Sequence, residues 1–304
     1  MKAKPLISLA GAWALLSTLN LHPSPLFAQG SLTPPGPPAP TMKSLAQIEP
    51  RTAITNTGAV TLWQPGSYYL STNITVSSGD AITIAANDVT LDLRGFTISS
   101  TAASAAGTAI VMSGGYTNVA IYNGHINSGV TNNGGTYSGS GFANGIFYSG
   151  AIPYNVRVKD VSITGVSGVG IYLTTGRSSL VESCTVLTAG FVGIFADVVS
   201  DSRANNCGSG IYAVTAQNSF GDSSGLSYGV GGGGAQNCYG SSVSGTGIGT
   251  TIALNCYGYS TSGIGLSVTT AENCYGSSTS GYGLVATNAL NCFGSSVTAT
   301  GLVL

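Results

Sequence analysis

The chain is poor in charge. Of its 304 residues only 6% are Asp, Glu, Lys or Arg, where a soluble domain ordinarily carries about 25%. The 9 Lys and Arg against 10 Asp and Glu leave a net charge of −1. No basic surplus exists to meet phosphates, which argues against a nucleic-acid partner. Beyond Arg203 there is no Lys or Arg, and the only acids there are Asp222 and Glu272. That stretch has almost nothing with which to do acid–base or ion-pair chemistry. Histidine is nearly absent, with only His22 and His125. No Cys-x-x-Cys occurs, so a zinc knuckle lacks its ligand spacing. No Gly-Lys pair occurs, so a P-loop is excluded. No metal and no cofactor are expected from these patterns. Charge-driven disorder does not fit either, because 43% of the residues are hydrophobic and can form a core.

The N-terminus carries targeting rather than fold. Lys2 and Lys4 precede an apolar stretch, Leu6 to Leu21, and Leu26-Phe27-Ala28 offers a cleavage site. That order predicts a secretory signal over 1–28. A membrane anchor is the alternative, and the short stretch broken by Gly11, Ser17 and Thr18 weakens it. Residues 29–42 are Pro-rich and read as an extended linker. The mature chain has no later span, and the expected location is secreted, extracellular or on the cell surface.

What remains, 43–304, is a repeat. Ala-x-Asn-Cys-aromatic-Gly is written four times, with Cys238, Cys256, Cys274 and Cys292 each 18 residues after the last. A second beat, a small residue before an aliphatic, falls at Ile146, Ile171, Ile194, Ile211, Val230, Ile248, Leu266, Leu284 and Leu302. Its early coils, from Ile146 to Ile171 and on to Ile194, span about 23–25 residues, and the later ones settle to 18 over 235–304. Such a period in Gly, Ser, Thr, Val and Ile predicts a solenoid of short strands. Stacked coils would place equivalent residues about 4.8 Å apart. A left-handed hexapeptide helix wants an aliphatic every sixth residue, and Ser260 breaks that pattern. The calcium-binding nonapeptide lacks its Asp after Gly231 to Gly234. The expected fold is all-β, a right-handed parallel β-helix. Its N-terminal lead-in or cap is expected over 43–80.

That lead-in reads Ile48-Glu49-Pro50-Arg51-Thr52, Pro65-Gly66-Ser67-Tyr68-Tyr69-Leu70 and Asn87-Asp88-Val89-Thr90-Leu91-Asp92-Leu93-Arg94-Gly95. It resembles the opening of secreted right-handed β-helix proteins of the pectate-lyase-like superfamily. The resemblance covers roughly 45–304. It implies a fold more than an activity, because the superfamily holds lyases, hydrolases and adhesins. Its lyases commonly use calcium and a basic side chain, so Ca2+ is the cofactor implied if this chain cleaves a polysaccharide. The paired-Asp and Gly-His-Gly motifs of polygalacturonases and the Asp-His motif of pectate lyases are absent.

Repeated residues form columns. The Cys column, Cys238, Cys256, Cys274 and Cys292 with Cys207 and Cys184 before it, reads as a ladder of small buried side chains, a metal or redox stack being the alternative. Asn237, Asn255, Asn273 and Asn291, with Asn206 and Asn218 before them, read as a structural amide ladder at a turn. Phe147, Tyr172, Phe195 and Tyr212 each follow a beat aliphatic, so alternation turns them outward. Phe220, Tyr239, Tyr257, Tyr275 and Phe293 form a second aromatic column of ambiguous direction. Both columns are candidate carbohydrate-binding surfaces, since rows of flat rings suit sugar rings. Charges gather at 157–203. Lys159 is expected under Glu182, and Arg157 and Arg203 in one column around Leu180. Asp197, Asp201, Arg177 and Arg203 are the candidate catalytic groups.

Two functions follow. One is an exported non-catalytic solenoid that binds extracellular polysaccharide or serves a surface or structural role. The other is a polysaccharide lyase or hydrolase acting at 157–203. Ice or mineral binding by the column Ser242, Ser260, Ser278 and Ser296 is a weaker third. The sequence reaches Leu304 before the coil that starts at Asn291 is complete, and that open edge is read as a place for a partner or for self-association, or as the mark of a truncated gene.

Overall fold

The computed structural model describes residues 49–304. The signal segment 1–28, the linker 29–42 and residues 43–48 of the lead-in lie outside the described residues. Among the described residues there is no helix. One sheet system of 25 strands winds through the chain, and its pairings are parallel. The fold is a right-handed parallel β-helix, as the repeat predicts.

The aliphatic beat makes the core. Ile146, Ile171, Ile194, Ile211, Val230, Ile248, Leu266, Leu284 and Leu302 stand in register coil by coil. The column also runs further back, through Ile110 and Ile82 to Val60. From Ile82 to Leu284 every member is 0% exposed, and each such burial contributes about 1.5–3 kcal/mol. The described part of the lead-in already forms coil strands, with Thr52–Ile54 paired to Gly66–Leu70.

The coil between Ile110 and Ile146 is enlarged by an antiparallel hairpin, Gly129–Asn133 with Thr136–Ser140. Its turn needs positive φ at both central residues, which Gly134 (61°) and Gly135 (94°) supply. The hairpin lies over later coils. Asn132 Nδ2 donates to Asn206 Oδ1 at 2.7 Å, and the Tyr137 hydroxyl donates to the Asn206 carbonyl at 3.2 Å. Periodicity gave no sign of it.

One corner repeats along the solenoid. Asn123, Asp160, Ser183, Asp201, Asn218, Asn237, Asn255, Asn273 and Asn291 share it, all with φ between 47° and 64°. Asn and Asp tolerate this left-handed conformation best. Amides bridge successive coils, with Asn237 donating to Asn218 at 3.1 Å, Asn255 to Asn237 at 3.2 Å and Asn291 to Asn273 at 3.3 Å. The next residue turns inward: Cys184, Ser202, Ser219, Cys238, Cys256, Cys274 and Cys292. Each donates its thiol or hydroxyl to the carbonyl two residues before it. The six cysteines (184, 207, 238, 256, 274, 292) are free thiols.

Two placements differ from the sequence expectation. Asn206-Cys207 repeats the dipeptide but not the corner. Cys207 pairs with Ala189 and Ser223, because Asp201-Ser202 already occupies the Asn-Cys corner of that coil. Arg157 and Arg203 do not share a column. Arg157 aligns with Leu180 and Val198, while Arg203 aligns with Thr185 and Phe220. The coil has already shortened there, with Leu180 opposite Val198, so a constant spacing carried forward from Arg157 misses Arg203.

The C-terminal coils are flattened. Gly240, Gly258, Gly276 and Gly294 face Gly247, Gly265, Gly283 and Gly301 across the coil, and a Cβ on Gly258 would lie 2.2 Å from the Gly265 carbonyl oxygen. The column Ser242, Ser260, Ser278 and Ser296 turns into this interior. Ser260, Ser278 and Ser296 donate to the carbonyls of Gly245, Gly263 and Gly281 at 2.7 Å. Ser242, Ser260 and Ser278 are buried. This column therefore does not face ice or mineral. Its hydroxyls serve backbone carbonyls that the narrow coil would leave unpaired.

Candidate functional site

The two aromatic columns both face outward but are built differently. In the second column, Phe220 lies between buried Ser219 and Gly221, and the same alternation holds through Tyr275, while Phe293 lies between half-buried Cys292 and Gly294. Its rings lie face on face. Centroids are 5.1, 5.0, 5.0 and 5.3 Å apart from Phe220 through Tyr239, Tyr257 and Tyr275 to Phe293. Interplanar angles are 6°, 28°, 4° and 3°. The ring faces cover one another. At the upstream end the Arg203 guanidinium covers Phe220, 4.0 Å from the ring centroid. Burial raises the hydroxyl pKa of Tyr239 and Tyr257, with like repulsion from the neighbouring Tyr second.

In the first column the rings meet edge to face. Tyr172 and Phe195 are 4.8 Å apart at 70°, and Phe195 and Tyr212 are 5.2 Å apart at 81°. Phe147 and Tyr172 are tilted at 48°. Edge contacts leave ring faces that a parallel stack would cover. The column aligns strictly with the core: each ring follows a fully buried Ile, at 146, 171, 194 or 211. At the upstream end Tyr148 stacks on Phe147, 5.4 Å apart at 11°.

Downstream of Tyr212 the register positions are Gly231 and Gly249. Tyr228 lays its ring over both, so that a Cβ on Gly249 would lie 2.3 Å from a Tyr228 ring carbon. The row of rings is thus prolonged by a loop residue that periodicity does not single out. Two successive Gly in an aromatic column were the available signal. Beside the row runs an open groove of about 340 Å³, lined by Tyr172, Phe191, Phe195, Ser209, Tyr212 and Tyr228 among others. It continues past Leu226, Ser227 and Thr246. Phe191 is 67% exposed and Leu226 85%. No lining residue is charged.

The charged candidates lie in the same coils with other partners. Asp197 belongs to the strand Thr185–Ser200. Its carboxylate accepts from the backbone N–H of Gly176, from Arg177 N–H at 2.9 Å and from Ser179 N–H at 2.9 Å. Burial works against its charge, but the N–H donors of Ser179, Gly176 and Arg177 outweigh it and hold the pKa below the ordinary carboxylate value. Asp201 stands at the left-handed corner and accepts from Asn218 Nδ2 at 3.1 Å. Arg203 covers Phe220, and Arg177 contributes its backbone to the loop that Asp197 ties down. Lys159 lies against Glu182 at 3.0 Å as expected, and this hydrogen bond raises the lysine pKa. His125 pairs with Ser162 through Nδ1 at 2.9 Å. Among the described residues no group of three or more His, Cys, Asp and Glu is placed to hold a metal, and no helix is long and apolar enough to cross a membrane.

Compared with known proteins, the chain matches no family model, no curated protein and no solved structure.

Proposed function

We propose that this chain is an exported, non-catalytic β-helix that holds an extracellular polysaccharide against the aromatic groove of its middle coils. One observation carries the reading: Tyr172, Phe195 and Tyr212 stand in a row edge to face, continued by Tyr228 over Gly231 and Gly249, beside an open groove. Tyr212 and Tyr228 are exposed and Tyr172 and Phe195 half-buried, and such rings in line form an apolar patch that needs a partner. Sugar rings present flat C–H faces to such rings, and the neighbouring hydroxyls of Ser209 and Ser227 suit their polar edges. Export rests on the segment 1–28, and kinship with the pectate-lyase-like superfamily rests on the lead-in residues.

The second aromatic column supports a structural role for the C-terminal coils, since stacking closes its inner ring faces, although Phe293 is exposed at its end and an open groove of about 510 Å³ runs beside it. The enzymatic alternative draws less support. A general acid in glycoside hydrolysis needs a raised pKa, whereas Asp197 is held low by loop N–H groups. The test is a panel of neutral and uronic-acid polysaccharides, with and without calcium, scored for retention and for chain cleavage. Retention without cleavage, indifferent to calcium, is expected. Cleavage that disappears in Asp197→Ala would replace this reading with the enzymatic one.

A further inference from the structure

We infer that the ligand is a neutral, extended chain of pyranose rings lying parallel to the solenoid axis, one sugar per coil. The inference rests on the glycan-binding reading above and adds its charge, linkage geometry and direction.

Spacing comes first. The rings of Tyr172, Phe195 and Tyr212 repeat at 4.8 and 5.2 Å along the axis, a distance set by hydrogen-bonded strand separation. An equatorially linked pyranose chain advances by close to the same length with each sugar. It therefore stays in phase with one aromatic per coil, meeting ring faces and ring edges in alternation. An axially linked chain coils, advances less per sugar and falls out of step. A chain crossing the coils would meet a single ring and then the flanking residues of one strand.

Charge comes second. The groove lining holds Tyr, Phe, Val, Leu, Ser, Thr and Gly only. Neither Arg177 nor Arg203 is among it. Asp197, two residues beyond Phe195, is the nearest acid in sequence, and its oxygens are engaged by the 176–179 loop. A uronate placed on these rings would lose water without gaining a cation, which is costly. A neutral sugar loses little and meets the hydroxyls of Ser209, Ser227 and Thr246.

The row also has ends. Tyr148 closes one face of Phe147 upstream. Downstream, Tyr228 covers the two glycines that follow Tyr212. The open row is therefore Tyr172, Phe195, Tyr212 and Tyr228.

The experiment is calorimetric titration with cello-oligosaccharides of increasing length, beside malto-oligosaccharides and oligogalacturonates. Affinity for the cello series is expected to rise with each added sugar until the chain spans those rings, then level off, with little dependence on salt. Tyr212→Ala and Tyr228→Ala should each weaken binding about tenfold, the loss of one anchoring aromatic, with unchanged far-UV circular dichroism. Equal binding of malto-oligosaccharides, or affinity indifferent to length, would overturn the axial register. Binding of oligogalacturonates alone would overturn neutrality while leaving a glycan-binding groove. Binding of no saccharide would remove the groove reading itself and this inference with it.

Discussion

A single methyl group at Gly258 should damage the C-terminal coils measurably. A Cβ there would lie 2.2 Å from the Gly265 carbonyl oxygen and 2.8 Å from its carbon. Ordinary van der Waals contact begins at 3.4 Å, so the two must part by more than an ångström. The obstacle is backbone, not a flexible side chain. Gly265 cannot retreat freely, since its own Cβ position lies 2.4 Å from Ser277 of the next coil. Overpacking of this kind costs about 1–3 kcal/mol, and backbone contact on both sides puts Gly258→Ala at the upper end. Gly58→Ala is the control, because nothing lies within 4 Å of its Cβ position and its φ is not positive. It should be neutral or stabilising by up to about 1 kcal/mol. Urea unfolding followed by far-UV circular dichroism compares the midpoints. Hydrogen exchange of residues 257–260 reports the same loss locally, since solenoids open by parts. An unchanged midpoint and unchanged protection in Gly258→Ala would refute the flattened coil.

Further outcomes follow from the columns. Asp197→Asn should loosen the 174–179 loop. The folded pKa of Asp197 is depressed, so its contribution is full above the ordinary carboxylate value and is lost as pH falls through the lowered one. The stability gap between wild type and Asp197→Asn should therefore close on acidification, and a gap independent of pH would contradict the assignment. Burial pushes the thiols of Cys184 and Cys207 up to about 12. In the folded protein an alkylating reagent near neutral pH should reach Cys292, which is half-buried, long before these two. Equal labelling, mapped by mass spectrometry, would count against the burial of Cys184 and Cys207. Arg203→Ala removes the cation over Phe220 and should cost about 0.5–1 kcal/mol in thermal unfolding, whereas Arg203→Lys should recover part of it.

The fold was largely legible, because each coil must match its neighbour residue for residue. The Ile146-to-Leu302 beat places every aliphatic in one seam, and such a pattern has few other solutions. Failures came where a local pattern repeats without its register. Asn206-Cys207 looks like the later Asn-Cys corners, yet the corner in that coil belongs to Asp201-Ser202. Joining Arg157 to Arg203 takes the coil length as constant where the chain has already shortened. The hairpin at 129–140 interrupts the period and so left no periodic trace. At the candidate site the sequence located both aromatic columns but did not distinguish them. Ring orientation separates the closed stack from the open row, and that depends on packing beside the column. Tyr228 belongs to the row through two glycines, Gly231 and Gly249, whose meaning depends on the loop above them. The scarcity of charge follows from stacking, since a charge repeated at each coil would repel its own copy. It also leaves the groove uncharged.

On the proposed reading the open aromatic row, and not the closed one, binds glycan. Affinity electrophoresis through gels containing neutral polysaccharide tests it directly, with three proteins side by side. Wild type should be retarded. Tyr172→Ala with Phe195→Ala should migrate as if no polysaccharide were present. Tyr257→Ala with Tyr275→Ala, which breaks the stacked column, should lose stability but keep its retardation. Retardation that survives the first pair of substitutions, or vanishes only with the second, would rule out the open row as the glycan site.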